Sequence, residues 1–164
     1  MSSEKRKIAY IDGKPYEIGP NHTSVLKFVE SYLGEKKVPA LCNDPNLAPY
    51  GACRVCSVEV ALVKDGPTKV VASCHTPVGE NQHIFTNNEN LTTLRKNIVE
   101  LVLTDHPMEC DTCEVNNNCE LQTVANDLGV ADHRYNSPKQ HKGIPRDTSH
   151  DYMRMNLDLS LIHI

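Results

Sequence analysis

Seven cysteines and one histidine fall into two groups whose spacing suits metal chemistry. Cys42, Cys53, Cys56 and Cys74 form a C-x10-C-x2-C-x17-C layout. His106, Cys110, Cys113 and Cys119 form H-x3-C-x2-C-x5-C, four potential ligands within fourteen residues. Plant-type [2Fe–2S] sites use closely spaced loop cysteines and then a distant one; the first group has that layout with a longer first gap. Gly51 and Ala52, just ahead of Cys53, allow backbone N–H groups to approach a negatively charged cluster. Zinc is the alternative, because one CxxC pair is a common zinc half-site, although zinc ribbons draw on two such knuckles. For the second group, tetrahedral Cys3His zinc and a [4Fe–4S] cube are not separated by spacing.

The elements around these groups must hold them in register. KIAYIDGKPYEI, Lys7 to Ile18, predicts a hairpin about Asp12-Gly13, which suits the positive φ angles of a tight turn. HTSVLKFVESYLG then places Val25, Leu26, Val29 and Leu33 on one helical face, with Thr23 or Ser24 as cap and Gly34 as stop. CRVCSVEVALV enters a strand after Cys56, Asp65-Gly66-Pro67 turns the chain, and TKVVASC returns it to Cys74. HIFTNN reads as a last strand. At about residue 87 the period changes to helical, with Leu91, Leu94, Ile98, Leu101 and Val102 recurring. A second short helix, Glu120 to Leu128, carries Leu121, Val124, Ala125 and Leu128 and stops at Gly129. From Ala131 to His150 there is no apolar period, which predicts an extended surface strap.

Composition fits a small globular chain that needs staples. The 164 residues are 39% hydrophobic with only 5% aromatic and no Trp, so metals or disulfides must supplement the core. An odd cysteine count and no secretory leader at MSSEKRKIAY favour metal binding by reduced thiols in the cytoplasm over disulfides. A net charge of −4 without a basic run argues against nucleic acid, and no apolar run is long enough to span a bilayer. There is no G-x-G-x-x-G fingerprint, Walker loop or nucleophile–base pair, so no catalytic residue is assigned. Asp105, Glu109, Asp111 and Glu114 read as solvated loop carboxylates, and His75, His83, His133, His141 and His150 as surface groups. Arg54, inside CRVC, is either a surface arginine or a residue tuning the first site's charge.

VPALCNDPNLAPYGACRVCSVEV, VASCHTPV and HPMECDTCEVNNNCELQTVANDLGV together resemble the N-terminal iron–sulfur region of one electron-transfer family. That family includes the large iron–sulfur subunit of respiratory complex I, NAD-dependent formate dehydrogenase alpha subunits, NAD-reducing hydrogenase diaphorase subunits and many [FeFe] hydrogenases. The resemblance runs from about residue 7 to about residue 135. It implies an α+β architecture, a β-grasp ferredoxin-like domain over residues 1–87 followed by a small helical cluster-binding domain over 88–135. It implies that Cys42, Cys53, Cys56 and Cys74 ligate a [2Fe–2S] cluster, and that His106, Cys110, Cys113 and Cys119 ligate a [4Fe–4S] cluster. Every cysteine is then used once. The implied role is electron relay in an NADH-, formate- or hydrogen-linked oxidoreductase, with flavin- or NADH-oxidising iron–sulfur subunits or a downstream catalytic domain as partners. The alternative is a zinc-stabilised interaction module. Where the family often has Gly-Met after its TPV motif, this chain has Glu80-Asn81-Gln82, so a locally altered turn is expected.

Residues 136–158 are expected to lead toward a further ferredoxin-like module, with Ser160 about where its first cysteine should stand. Residues 159–164, Leu-Ser-Leu-Ile-His-Ile, match one frame of the transposon end CTGTCTCTTATACACATC used in sequencing libraries, and are expected to be a non-native tail.

Overall fold

The computed structural model describes residues 6–132, 134, 135 and 145–155. His133, His141, most of the linker and the 159–164 tail lie outside the described residues.

Ile8–Ile11 (β1) and Lys14–Glu17 (β2) pair as an antiparallel hairpin. Asp12 (φ 48°) and Gly13 (φ 82°) make its turn in the left-handed region, which is why Gly follows a residue type that tolerates it. Val25–Leu33 (α1) follows. Ser24 Oγ accepts from Lys27 N at 3.3 Å, and Gly34 (φ 89°) ends the helix. Ser57–Ala61 (β3), Lys69–Ala72 (β4) and His83–Phe85 (β5) complete a five-stranded mixed sheet in the order β2-β1-β5-β3-β4. β5 runs parallel to β1 and antiparallel to β3. Hairpin, crossing helix, second hairpin and a central last strand give the ferredoxin-like β-grasp order, an α+β fold.

The core is what α1 presents to the sheet. Val25, Leu26, Phe28 and Val29 form one cluster with Ala9, Ile11, Val58, Val60 and Ile84, and with the sulfur-bearing side chains of Cys56 and Cys74. The expected apolar stripe of α1 is corrected at one position. Leu33 is exposed, and Phe28 takes the interior place, edge-on to the rings of His22 and Tyr32.

Glu89–Thr104 (α2) begins under Asn88, whose Oδ1 accepts from Leu91 N at 2.8 Å. Its buried residues differ from the expected stripe: they are Leu91, Arg95, Val99, Val102 and Leu103, while Leu101 is 54% exposed. A charged residue thus occupies the apolar phase. The chain divides into two compact units after Arg95, within α2. In the second unit Glu120–Leu128 (α3) buries Leu121, Val124 and Ala125 and stops at Gly129 in the left-handed conformation. Among the described residues of the strap, Arg134 donates from Nε to Glu100 Oε2 at 2.6 Å, and Asp147 forms an isolated bridge with Met155.

Candidate iron–sulfur sites

In the first unit, the long loop before β3 and the segment after β4 bring four thiols together. Cys42 and Cys53 lie in the long loop before β3, Cys56 is the residue before β3, and Cys74 follows β4. Pairing of Ser57 with Ala72 across β3 and β4 fixes the approach of the last two. Ser73 tightens it further: its N–H and Oγ–H both donate to the Cys56 carbonyl, at 3.2 and 2.7 Å. The first amides of α1 reach the same corner, with Leu26 N donating to Ser73 O and Val25 N to Thr76 O. Cys74 is therefore held from both sides by groups with fixed backbone geometry.

The loop geometry is as specific. Gly51 adopts φ 72°, and a Cβ there would touch Ala72 and His75 at 3.5 Å. Arg54 is at φ 61° between the paired cysteines, and its carbonyl accepts from Ser57 N and Oγ. Its side chain is exposed, where water screens its charge. Cys53 N–H points at Cys42 Sγ at 3.5 Å.

The electrostatics record this gathering. Burial pushes the Cys42 thiol up, but N–H groups of Cys53 and Ala52 outweigh it and leave the pKa lowered. Cys53 is raised, by burial first. Cys74 is pushed up to about 12, by burial first and then by the neighbouring sulfurs of Cys56, Cys42 and Cys53. All four sulfurs thus interact within one site, and thiolate repulsion there must be met by cations. Among the described residues, no three His, Cys, Asp or Glu side chains are drawn to the spacing of one metal ion. The thiols, and the amides directed at Cys42, have the chemistry that a [2Fe–2S] cluster requires.

The sign of the Cys74 shift gives a pH dependence for the cluster-free chain. A thiol whose folded pKa lies above its unfolded value of about 8.5 stabilises the fold fully below that value. The contribution is lost as pH rises toward about 12. Apo chain is expected to lose urea resistance between about pH 8.5 and 12 more steeply than apo Cys74→Ala, and equal slopes for the two would contradict it.

In the second unit, His106 lies two residues beyond α2 and its N–H donates to Leu103 O. Cys110–Thr112 form a 3-10 turn, Cys113 N donates to Cys110 O, and Cys119 is the N-cap of α3 without a side-chain cap bond. Tight turns through Asn116, Asn117 (φ 62°) and Asn118 bring the chain from Cys113 to Cys119. Gln122 of α3 pins them: Asn117 N–H donates to its Oε1 at 2.8 Å, and its Nε2 donates to Asn116 Oδ1 at 2.9 Å. His106, Cys110, Cys113 and Cys119 are all half-buried, whereas Asp105, Glu109, Asp111 and Glu114 are exposed. The carboxylates therefore face water, as solvated loop residues do.

Residues 8–89 match the model of the 2Fe-2S iron-sulfur cluster binding domain. The chain belongs to that family. Residues 95–134 match the NADH-ubiquinone oxidoreductase-G iron-sulfur binding region, so the chain carries binding domains for a [2Fe–2S] and a [4Fe–4S] cluster. It is 34% identical over 137 residues to the NADPH-Fe(3+) oxidoreductase subunit alpha of Geobacter sulfurreducens, covering 84% of this chain and 15% of that one. It is 33% identical over 132 residues to an NADH-quinone oxidoreductase subunit of Escherichia coli K12, covering 80% and 14%. Its structure is similar to that of an NAD+-reducing [NiFe]-hydrogenase chain, with a TM-score of 0.70, 26% identity, and 88% and 57% coverage. The chain thus spans about a seventh of the length of the curated relatives it matches. The resemblance seen in the motifs is borne out, and the zinc-stabilised module is not favoured.

Some contributors left no readable sequence signal. Ser73 acts through the Cys56 carbonyl, and Gln122 through the Asn117 N–H and the Asn116 side chain, partners that no spacing pattern marks. Arg95 had a signal, a charge at i+4 from Leu91 and i−4 from Val99, but a charged residue is discounted when an apolar face is sought. His83, expected at the surface, is half-buried and stacks on Tyr10 at 4.4 Å, because β5 is a central strand. The altered turn at Glu80-Asn81-Gln82 is closed locally, with Asn81 at φ 60° and Gln82 Oε1 accepting from Gly79 N.

Among the described residues no helix is long and apolar enough to cross a membrane.

Proposed function

We propose that the chain relays single electrons within a larger oxidoreductase, through a [2Fe–2S] cluster held by Cys42, Cys53, Cys56 and Cys74 and a [4Fe–4S] cluster held by His106, Cys110, Cys113 and Cys119. The observation that carries this reading is the mutual interaction of the four sulfurs in the first unit, joined to the two cluster-domain matches. Bound clusters supply reversible one-electron oxidation and reduction. The protein's share is to hold thiolates rigidly, direct amides at sulfur, and exclude water. Cys56 and Cys74, each 1% exposed, and the Ser73 clasp supply rigidity and dryness. Cys42 and Cys53 are half-buried, so this side of the site is the one closer to solvent and to an electron donor or acceptor.

Residues 1–87 serve as the [2Fe–2S] domain and 88–135 as the [4Fe–4S] domain. Partners are the NADH- or flavin-bearing iron–sulfur subunits, or a downstream catalytic domain, of the same oxidoreductase, since the relatives' names denote oxidoreductase subunits. The compartment is the cytoplasm, where thiols stay reduced. Anaerobically purified chain is expected to be brown and to hold about six irons with matching sulfide; stoichiometric zinc in a colourless protein would overturn the proposal.

His106 gives this reading a second test. A neutral imidazole leaves the second site one unit less negative than a fourth thiolate, which favours the reduced cluster. His106→Cys is therefore expected to retain the cluster and lower its midpoint potential in a redox titration. An unchanged or higher midpoint would contradict the assigned ligand.

A further inference from the structure

Arg95 is 3% exposed, on the inner face of α2. Its Nη2 donates to the carbonyl of Ser57, the residue after Cys56, at 2.6 Å and to that of Thr86 at 2.8 Å. Its Nε is buried without a hydrogen-bond partner among the described residues. The ion pairs among the described residues are Arg6–Glu17 and Arg134–Glu100, neither of which involves Arg95. Asp12, the carboxylate of the adjoining turn, is engaged instead by Thr86, whose N–H and Oγ1–H donate to its two oxygens. Burial lowers the guanidinium's pKa from its ordinary value, and the neighbouring Cys56 opposes that shift. Arginine nonetheless keeps its charge in proteins.

A buried cation lacking a carboxylate is costly, and two carbonyls compensate only part of that cost. The missing anion is supplied where the thiolates are. A [2Fe–2S] cluster on four thiolates is negatively charged, and accepting one electron makes it more so. A fixed cation behind Cys56, away from screening water, favours both cluster binding and the reduced form. We propose that Arg95 is the buried counter-charge of the first site, held behind Cys56 by the Ser57 and Thr86 carbonyls, and that it raises the reduction potential of the cluster bound there. This rests on the [2Fe–2S] reading of the first site. No proton moves in the step: one electron passes from the reductant to the cluster, and Arg95 stays charged.

The test uses the full chain with its clusters, comparing wild type, Arg95→Met and Arg95→Lys. Wild type must show the [2Fe–2S] electron paramagnetic resonance signal on reduction; its absence sinks the ligand assignment itself, separately from the role of Arg95. In Arg95→Met, the reduced-to-oxidised ratio at the wild-type midpoint is expected to fall about tenfold, a shift of about 59 mV for one electron. Arg95→Lys, which keeps the charge but not the fork, should recover most of it. An unchanged midpoint in Arg95→Met, or an equal fall in both variants, overturns the proposal. Should Arg95→Met fail to load its cluster, thermal melts of the cluster-free chains decide. A cluster-free melt close to wild type, with loading restored in Arg95→Lys, supports a counter-charge. A cluster-free variant that does not fold, or a lysine variant that also fails to load, shows a structural clamp and overturns it.

Discussion

Cys74→Ala is expected to abolish the [2Fe–2S] signal while leaving the [4Fe–4S] signal in place, with iron content falling by about a third. Cys74 lies beyond β4, apart from the loop that carries the other three thiols, so its loss would leave the proposed site one thiolate short. The alanine also removes the thiol that burial first, and then the neighbouring sulfurs, push up to about 12. The cluster-free variant should thus resist alkali better than wild type even though it cannot bind the cluster. Retention of both signals and of full iron content in Cys74→Ala would show that the ligand assignment is wrong.

Phe28→Ala is expected to be the most destabilising single change in the first unit, costing about 3–5 kcal/mol. Phe28 is fully buried in the cluster that joins α1 to the sheet, and its ring meets His22 and Tyr32 edge-on at 5.1 and 5.5 Å. Whole domains are stable by only about 5–15 kcal/mol, so the loss takes a large share of the total. The damage reaches the site, because the first amides of α1 hold the carbonyls of Ser73 and Thr76 on either side of Cys74. Urea titration should show a lowered midpoint, and the [2Fe–2S] cluster should be lost at lower urea than in wild type. A cost below about 1 kcal/mol would mean that α1 does not anchor the sheet as described.

Much of the fold was legible because local chemistry and global packing agree. Asp12-Gly13 announces a hairpin in any context, and Ser24 and Gly34 bracket α1 for reasons internal to the helix. The α3 stripe and its Gly129 stop are equally local. The errors arise where tertiary contacts chose between residues of similar pattern. Phe28 and Leu33 both border the face of α1, and the larger ring won the interior. In α2 the apolar phase runs through Leu91, Val99 and Val102, and Arg95 shares it only because the Ser57 and Thr86 carbonyls await its guanidinium.

The candidate sites divide in the same way. Cysteine spacing groups the candidate ligands into two sets, because spacing is a property of the chain. What fixes the backbone around these residues does not show in spacing: the Ser73 clasp on the Cys56 carbonyl and the Gln122 bracket across the asparagine turns. Arg54 illustrates the difference. It is adjacent to the paired cysteines in sequence, yet its side chain is exposed, while the arginine far along the chain is the one buried against the carbonyl of Ser57, the residue after Cys56.

The most direct measurement is electron paramagnetic resonance of the anaerobically purified chain after stepwise reduction. Two distinct signals are expected, one from a [2Fe–2S] and one from a [4Fe–4S] cluster, each appearing with the uptake of a single electron. A protein that stays silent on reduction, with zinc in place of iron, would contradict it.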